Sequence, residues 1–185
     1  MAYASWSVVF GEQPSAAKWN ILGTNDSSFN DGTGIASLSL STTSLSNPYK
    51  FSAYSTAGHN VGTSPTKVQY NNEYYDTNNN FDSTTNYRYT VPVTGFYQFN
   101  IAVSTSAAGG GTNVAAYLYK NGSNLRLVDF SVAAAGNPPQ VTGAPQIQAT
   151  AADYFEVYVG TGTAAKALDT TAGNVVFEGY LMYRT

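Results

Sequence analysis

The chain has 185 residues, with eight Lys and Arg against eleven Asp and Glu, one His and no Cys. A net charge of −3 with a pI of about 4.9 and scattered cations argues against nucleic acid as a partner, because that binding needs clustered Lys and Arg to release counterions. No apolar run approaches the roughly 18 residues of a membrane-spanning helix, and Met1 is not followed by a basic, apolar leader, so a soluble, unprocessed chain without membrane insertion is expected.

Aromatic residues make up 14% of the chain, fifteen of them Tyr, and charged residues only 10%, where about 25% is ordinary. Polar contact therefore falls to Asn, Thr, Ser, Gln and tyrosine hydroxyls, which suits a neutral polar partner or a large subunit interface. This length allows one moderate domain plus an appendage, with roughly 70% of the unfolded chain's surface buried. Without cysteine, stability rests on packing and oligomerisation rather than on disulfides or thiolate metal sites.

In chain order, a strand is expected near Ser7 to Phe10 and one helical turn after Pro14, where Ala16, Ala17 and Lys18 favour helix. Ala36 to Asn47 reads as a Ser/Thr/Leu-rich connection. Strands follow near Tyr49 to Ser55, Lys67 to Tyr70, Tyr87 to Val91, Gly95 to Thr105, Val114 to Lys120, Leu125 to Ala133, Gln140 to Thr150, Asp153 to Gly160 and Asn174 to Tyr183. Between them, Ser106 to Thr112, Ala135 to Pro139 and Thr161 to Gly173 carry the small and turn-forming residues of loops. The clearest stretch is Tyr87 to Val103. Tyr87, Tyr89 and Val91 alternate with polar neighbours, Pro92 and Gly95 break the run, and Tyr97, Phe99, Ile101 and Val103 alternate again.

Gly95, Tyr97 and Phe99 form a G-x-Y-x-F motif after V-P-V-T, and this resembles the signature of the C1q globular-head family. Flanking segments agree in order: Phe51-Ser52-Ala53; Val68 to Phe81, rich in Asn and Tyr; Ala116 to Gly122 with its Asn121-Gly122 turn; Ala152-Asp153; and the closing F-x-G-x-L at Phe177, Gly179 and Leu181. The resemblance covers about Pro48 to Thr185 and implies an antiparallel ten-stranded jelly-roll sandwich of the tumour necrosis factor type, a homotrimer that binds other molecules and has no catalytic centre. No collagen-like stem precedes it, so a complement role is not implied.

Trp6 to Ile35 resembles the short N-terminal units of phage tail-fibre and prophage structural proteins, through Phe10-Gly11-Glu12-Gln13-Pro14, Ala17-Lys18-Trp19-Asn20 and Gly23-Thr24-Asn25-Asp26. The organisation expected is thus an attachment segment over residues 1–47 and a jelly-roll domain over 48–185. Together the two resemblances imply the receptor-binding head of a phage or prophage tail fibre, located on the virion or on an extracellular surface structure. Its partners would be other fibre proteins through residues 1–47 and a host cell-surface glycan or protein receptor. The alternative is a purely structural trimerisation cap; a polysaccharide-active enzyme is a third reading.

Candidate chemistry is sparse. His59 stands in a loop without a nearby cysteine, and neither G-x-S-x-G nor H-E-x-x-H occurs, so no catalytic residue, cofactor or metal ligand is assigned. Glu73 and Asp76 are neighbouring carboxylates, but a glycosidase needs two carboxyl groups set across a cleft. Asp76, Asn78, Asn80 and Asp82 have the spacing of the first ligands of a calcium loop; Phe81 stands where that loop needs Gly and Tyr87 where it needs Glu, which leaves an Asn-rich turn as the simpler reading. Tyr74, Tyr75, Asp76 and Asn78 are the expected ligand residues, since tyrosine faces beside hydrogen-bonding groups suit a glycan. They are read as part of a turn-rich segment.

Overall fold

The computed structural model describes residues 47–106, 112–162 and 164–185. The attachment segment expected over residues 1–47, with its strand near Ser7 and helical turn after Pro14, lies outside the described residues except for Asn47. So does most of the loop Ser106 to Thr112.

Fourteen strands are found among the described residues: β1 (Lys50–Tyr54), β2 (Asn60–Val61), β3 (Thr66–Lys67), β4 (Asn72–Asp76), β5 (Phe81–Asp82), β6 (Arg88–Thr90), β7 (Gly95–Ser104), β8 (Asn113–Lys120), β9 (Ser123–Val132), β10 (Gln140–Gly143), β11 (Gln146–Ala149), β12 (Tyr154–Thr161), β13 (Lys166–Ala167) and β14 (Val175–Arg184). All pairings are antiparallel. The first sheet has the order β10-β7-β14-β1-β4, with β11 also on β7; the second has β5-β6-β12-β8-β9, with β3 also on β12; β2 and β13 form a small pair. This is the expected jelly-roll sandwich. The nine strands expected between Tyr49 and Tyr183 all meet observed ones, that at Lys67 to Tyr70 as the short β3 and that at Gln140 to Thr150 as β10 and β11, while β2, β4, β5 and β13 were not expected.

Alternation builds the core. On β7, Tyr97, Phe99, Ile101 and Val103 are all buried, as period two requires. They meet Phe155, Val157 and Val159 of β12 and Phe177 of β14 in a single cluster. Phe51 stacks on Tyr89 at 4.3 Å and Phe99 packs on Phe155 at 4.6 Å, so aromatic contacts join the two sheets. Burying each such side chain stabilises the fold by about 1.5–3 kcal/mol.

Several boundaries differ from expectation. Tyr87 is not part of the buried alternation: its φ is +49°, it is only half-buried, and β6 starts after it with Tyr89 as its inward residue. The expected strand Gln140 to Thr150 is split, because Pro145 has no N–H to give. β7 stays bonded across the break, with Phe99 N donating to Pro145 O at 3.0 Å and Gln98 Nε2 to Ala144 O at 2.9 Å. Asn72–Asp76, read as turn-rich, is an edge strand on β1; its composition lacks the apolar alternation of a central strand because only one of its edges is paired. The expected strand Lys67 to Tyr70 shortens to Thr66–Lys67, although Val68 and Tyr70 are buried. The loop Thr161 to Gly173 contains β13.

The sandwich has two distinct ends. Chain entry and exit lie at one: Asn47 Nδ2 donates to Leu181 O, and Ala151 N donates to Thr94 Oγ1 at 3.1 Å. At the other end, Ser55 N donates to Val175 O at 2.9 Å, Thr161 N to Gly62 O at 2.9 Å, and Thr105 bridges Leu168 beside the β2–β13 pair.

Candidate functional site

The motif residues are structural. Gly95 is pressed on the end of β14, where a Cβ would lie 2.5 Å from Tyr183 O. Tyr97 is buried and its hydroxyl donates to Val93 O at 2.7 Å, and Phe99 and Phe177 lie in the core. Gly179 sits in register between Phe51 and Phe99. Asn121 and Gly122, at φ of +52° and +77°, form a hairpin turn of the kind that favours this pair. The Asn121 side chain then ties that turn to β12, donating to Asp153 Oδ1 at 2.7 Å and accepting from Tyr154 N at 2.8 Å.

The four expected ligand residues do not converge on one site. Tyr74 and Tyr75 lie on edge strand β4 and are 54% and 47% exposed. Tyr74 stacks on Tyr54 at 4.3 Å, while Tyr75 is paired with Ser52, and its hydroxyl pKa is raised by burial and by the nearby Glu178 carboxylate. Asp76 is turned to a different task. Its Oδ1 accepts from Asn78 N at 3.2 Å and its Oδ2 from Phe81 N at 2.7 Å, so it holds the Asn-rich turn closed, with Asn78 exposed on it.

The Asp76-to-Asp82 spacing serves turns. Asp82 accepts from the backbone N–H groups of Thr84, Thr85 and Asn86 and from Asn86 Nδ2. The Thr85 backbone hydrogen bond leads the effects that hold its carboxyl far below the usual carboxylate range. His59 is partly buried, which lowers its pKa, while its Nε2 lies 3.2 Å from Lys67 O. Among the described residues no three His, Cys, Asp or Glu side chains group as metal ligands. No helix among them is long and apolar enough to cross a membrane.

Two surface features were not legible as sites in the sequence. The outer face of the first sheet carries cross-strand rows Tyr75–Ser52–Glu178–Asn100, Lys50–Tyr180–Gln98–Gln146 and Tyr54–Val176–Ala102–Thr142. A shallow groove of about 570 Å³ crosses this face, lined among others by Tyr74, Asn100, Ala102, Thr142, Val176 and Glu178. Near its end Tyr183 stacks on Phe96 at 4.9 Å, and Tyr180, Met182 and Tyr183 are exposed. The second feature is β9, at the edge of the other sheet, where Leu125, Leu127, Phe130 and Val132 are all exposed, the last at 56%. Exposed apolar side chains this closely grouped mark contact surfaces. A sequence reading finds the alternation but not which face lies outside.

A profile of the C1q domain matches residues 50–182. Among solved structures, the globular domain of zebrafish complement 1qA protein is similar at 19% identity, with 74% of this chain and 99% of that chain covered and a TM-score of 0.59. Eiger TNF from S. frugiperda is similar at 9% identity, with 74% and 94% covered and a TM-score of 0.53. Murine APRIL follows at 11% identity, with 72% and 98% covered and a TM-score of 0.51. No curated protein matches the chain. At these identities the solved structures speak for the fold, and the matched profile, spanning most of the chain from the first strand of the sandwich into its last, makes this protein a member of the C1q domain family.

Proposed function

We propose that the chain is a non-catalytic, homotrimeric binding head, joined to a phage or prophage tail fibre through residues 1–47 and displayed on the virion or a comparable extracellular structure. The observation that carries the assembly is the presence of two unlike apolar surfaces on one chain: the tyrosine-bearing outer face of the first sheet and the β9 edge of the second. Two different patches that cover each other join copies head to tail, and such a contact gives a ring where the rotation between copies closes. The C1q and tumour necrosis factor resemblance supports a ring of three and also supports the absence of an active site.

In this arrangement Tyr74 and Tyr75 belong to the subunit contact, and receptor binding falls to the end of the sandwich opposite chain entry. That end presents Thr56 to His59, Ala133 to Pro139 and Asp169 to Gly173, rich in small and hydroxyl side chains. A neutral cell-surface glycan or other polar receptor suits so charge-poor a surface, and three identical sites on one rigid head retain a particle even when each is weak. The test coats beads with the chain, with a Tyr74→Ala/Tyr75→Ala variant and with a variant carrying Gly/Ser replacements over 133–139, then measures attachment to a panel of bacterial surfaces and glycans. Attachment lost in the loop variant alone supports the reading. If no protein attaches to anything, the structural-cap reading replaces it; loss in the tyrosine variant while it remains trimeric would return the binding site to β4.

A further inference from the structure

A polar cleft of about 390 Å³ lies where edge strands of the two sheets meet, β4 of the first and β5 of the second; that volume is in the range of small-molecule sites. Glu73 of β4 pairs with Ala53, a buried residue of β1, whereas Tyr75 pairs with Ser52 in the outer-face row. Glu73 therefore belongs to the other side of β4 from the tyrosine-bearing face. Asn79, Asn80, Ser83 and Thr84 reach the cleft from the turns on either side of β5, and Thr90 from β6. The lining is carboxylate, carboxamide and hydroxyl, with Phe81, 5% exposed, as its apolar member.

Backbone hydrogen bonds hold the frame of the cleft in place. Asp76 Oδ2 accepts from Phe81 N at 2.7 Å, and Thr90 N donates to Asn80 O at 2.8 Å. Asp82 is engaged by the N–H groups of Thr84, Thr85 and Asn86 and by Asn86 Nδ2. Asn80 Oδ1 is the exception, a buried acceptor that no donor reaches. Such an atom is unfavourable until something donates to it. A ligand hydroxyl or a hard cation satisfies it, and charge decides between them. Calcium favours several charged oxygens, but Asp82 is committed to its turn, which leaves Glu73 as the one uncommitted carboxylate of the lining. Two carboxamides and three hydroxyls beside one carboxylate match instead the paired donors and acceptors of vicinal hydroxyl groups. Arg88, opposite Asp82, lies over the Tyr154 ring at 4.1 Å and adds no charge to the lining.

We propose that this cleft binds a neutral saccharide residue, with Asn80 Oδ1 accepting from one ring hydroxyl, Glu73 accepting from another, and the hydroxyls of Ser83, Thr84 and Thr90 completing the contacts. The site depends on no subunit contact, and it is separate from the loop end proposed above for the receptor.

Amide NMR of the full, isotope-labelled chain, titrated with millimolar methyl glycosides of glucose, galactose, mannose and N-acetylglucosamine, tests this. The expected result is shifts centred on residues 79–84 and 90 with at least one of the four. Asn80→Ala and Thr90→Val should each weaken that binding about tenfold, since each takes away the partner of a ligand hydroxyl. Asn80→Ala should also melt no lower than the unmodified chain, because the acceptor it removes has no donor in the free protein. A variant that melts lower and keeps its sugar affinity makes Asn80 a turn residue only and overturns the proposal. No shift with any of the four sugars overturns it too. So do shifts confined to residues 133–139, which leave the receptor reading standing. A melting temperature raised by calcium ions but not by the sugars, with the effect lost in Glu73→Gln, makes the cleft a cation site and overturns it as well.

Discussion

Gly179 leaves room for the ring of Phe99: a Cβ at position 179 would lie 2.6 Å from Phe99 Cδ1 and 2.8 Å from Phe51 Cε1. The two rings flank Gly179 in neighbouring strands of the first sheet and pack on Phe177 at 5.6 and 5.0 Å. Gly179→Ala is therefore expected to destabilise the domain by about 1–3 kcal/mol through overpacking, even though alanine has the better strand propensity. Chemical denaturation of the two proteins checks it; equal midpoints would show that the rings move aside freely.

Phe99 touches the rings of Phe51, Tyr89, Tyr97, Phe155 and Phe177 and is fully buried. Phe99→Ala should reduce stability by about 3–5 kcal/mol, the sum of lost burial and the cavity left behind. An unchanged melting temperature would remove the residue from the core.

Asp82 gives a pH prediction. Its folded-state pKa lies below the usual carboxylate value because three backbone N–H groups and Asn86 Nδ2 point at it. A depressed folded value contributes stability above the unfolded pKa, about 3.9 for Asp, and that contribution is lost as pH falls towards the folded value. Asp82→Asn should thus melt lower than the unmodified chain at neutral pH, and the gap should narrow below about pH 4. A gap that is constant with pH would mean that the charge is not what holds the turn.

The subunit contact gives the fourth. Tyr180 and Met182, both exposed on the outer face of the first sheet, should tolerate Tyr180→Asp and Met182→Asp in the isolated fold, since surface changes away from special features alter stability by only about 0.5 kcal/mol. Assembly should suffer, because an uncompensated charge in a covered apolar contact is strongly unfavourable. Light scattering should give a smaller particle with an unchanged circular dichroism spectrum; a particle of unchanged size would clear this face of any part in assembly.

The central strands were legible because period-two alternation survives wherever both edges of a strand are paired and one face is buried, as on β7 with Tyr97, Phe99, Ile101 and Val103. Asn72–Asp76 was misread for the converse reason. Its tyrosines sit on an open face and asparagines flank it at the turns, so nothing in the local pattern separates an edge strand from a loop, and only the register with β1 does so. Tyr87 misled in another way, continuing the alternation in letters while its backbone turns to positive φ. The Asn-Gly turn at 121–122 was readable from its chemistry alone. The candidate surfaces were not readable: Leu125 and Leu127 have the spacing of buried residues, yet both are exposed on β9, and the alternation alone does not say which face lies outside.

Trimer formation is tested most directly by the mass of the full chain in solution at micromolar concentration, by sedimentation equilibrium. The expected result is a particle of three times the 19.6 kDa chain mass. A monomer at every concentration, with Leu125, Leu127, Phe130 and the face of Tyr180 left in water, would contradict it.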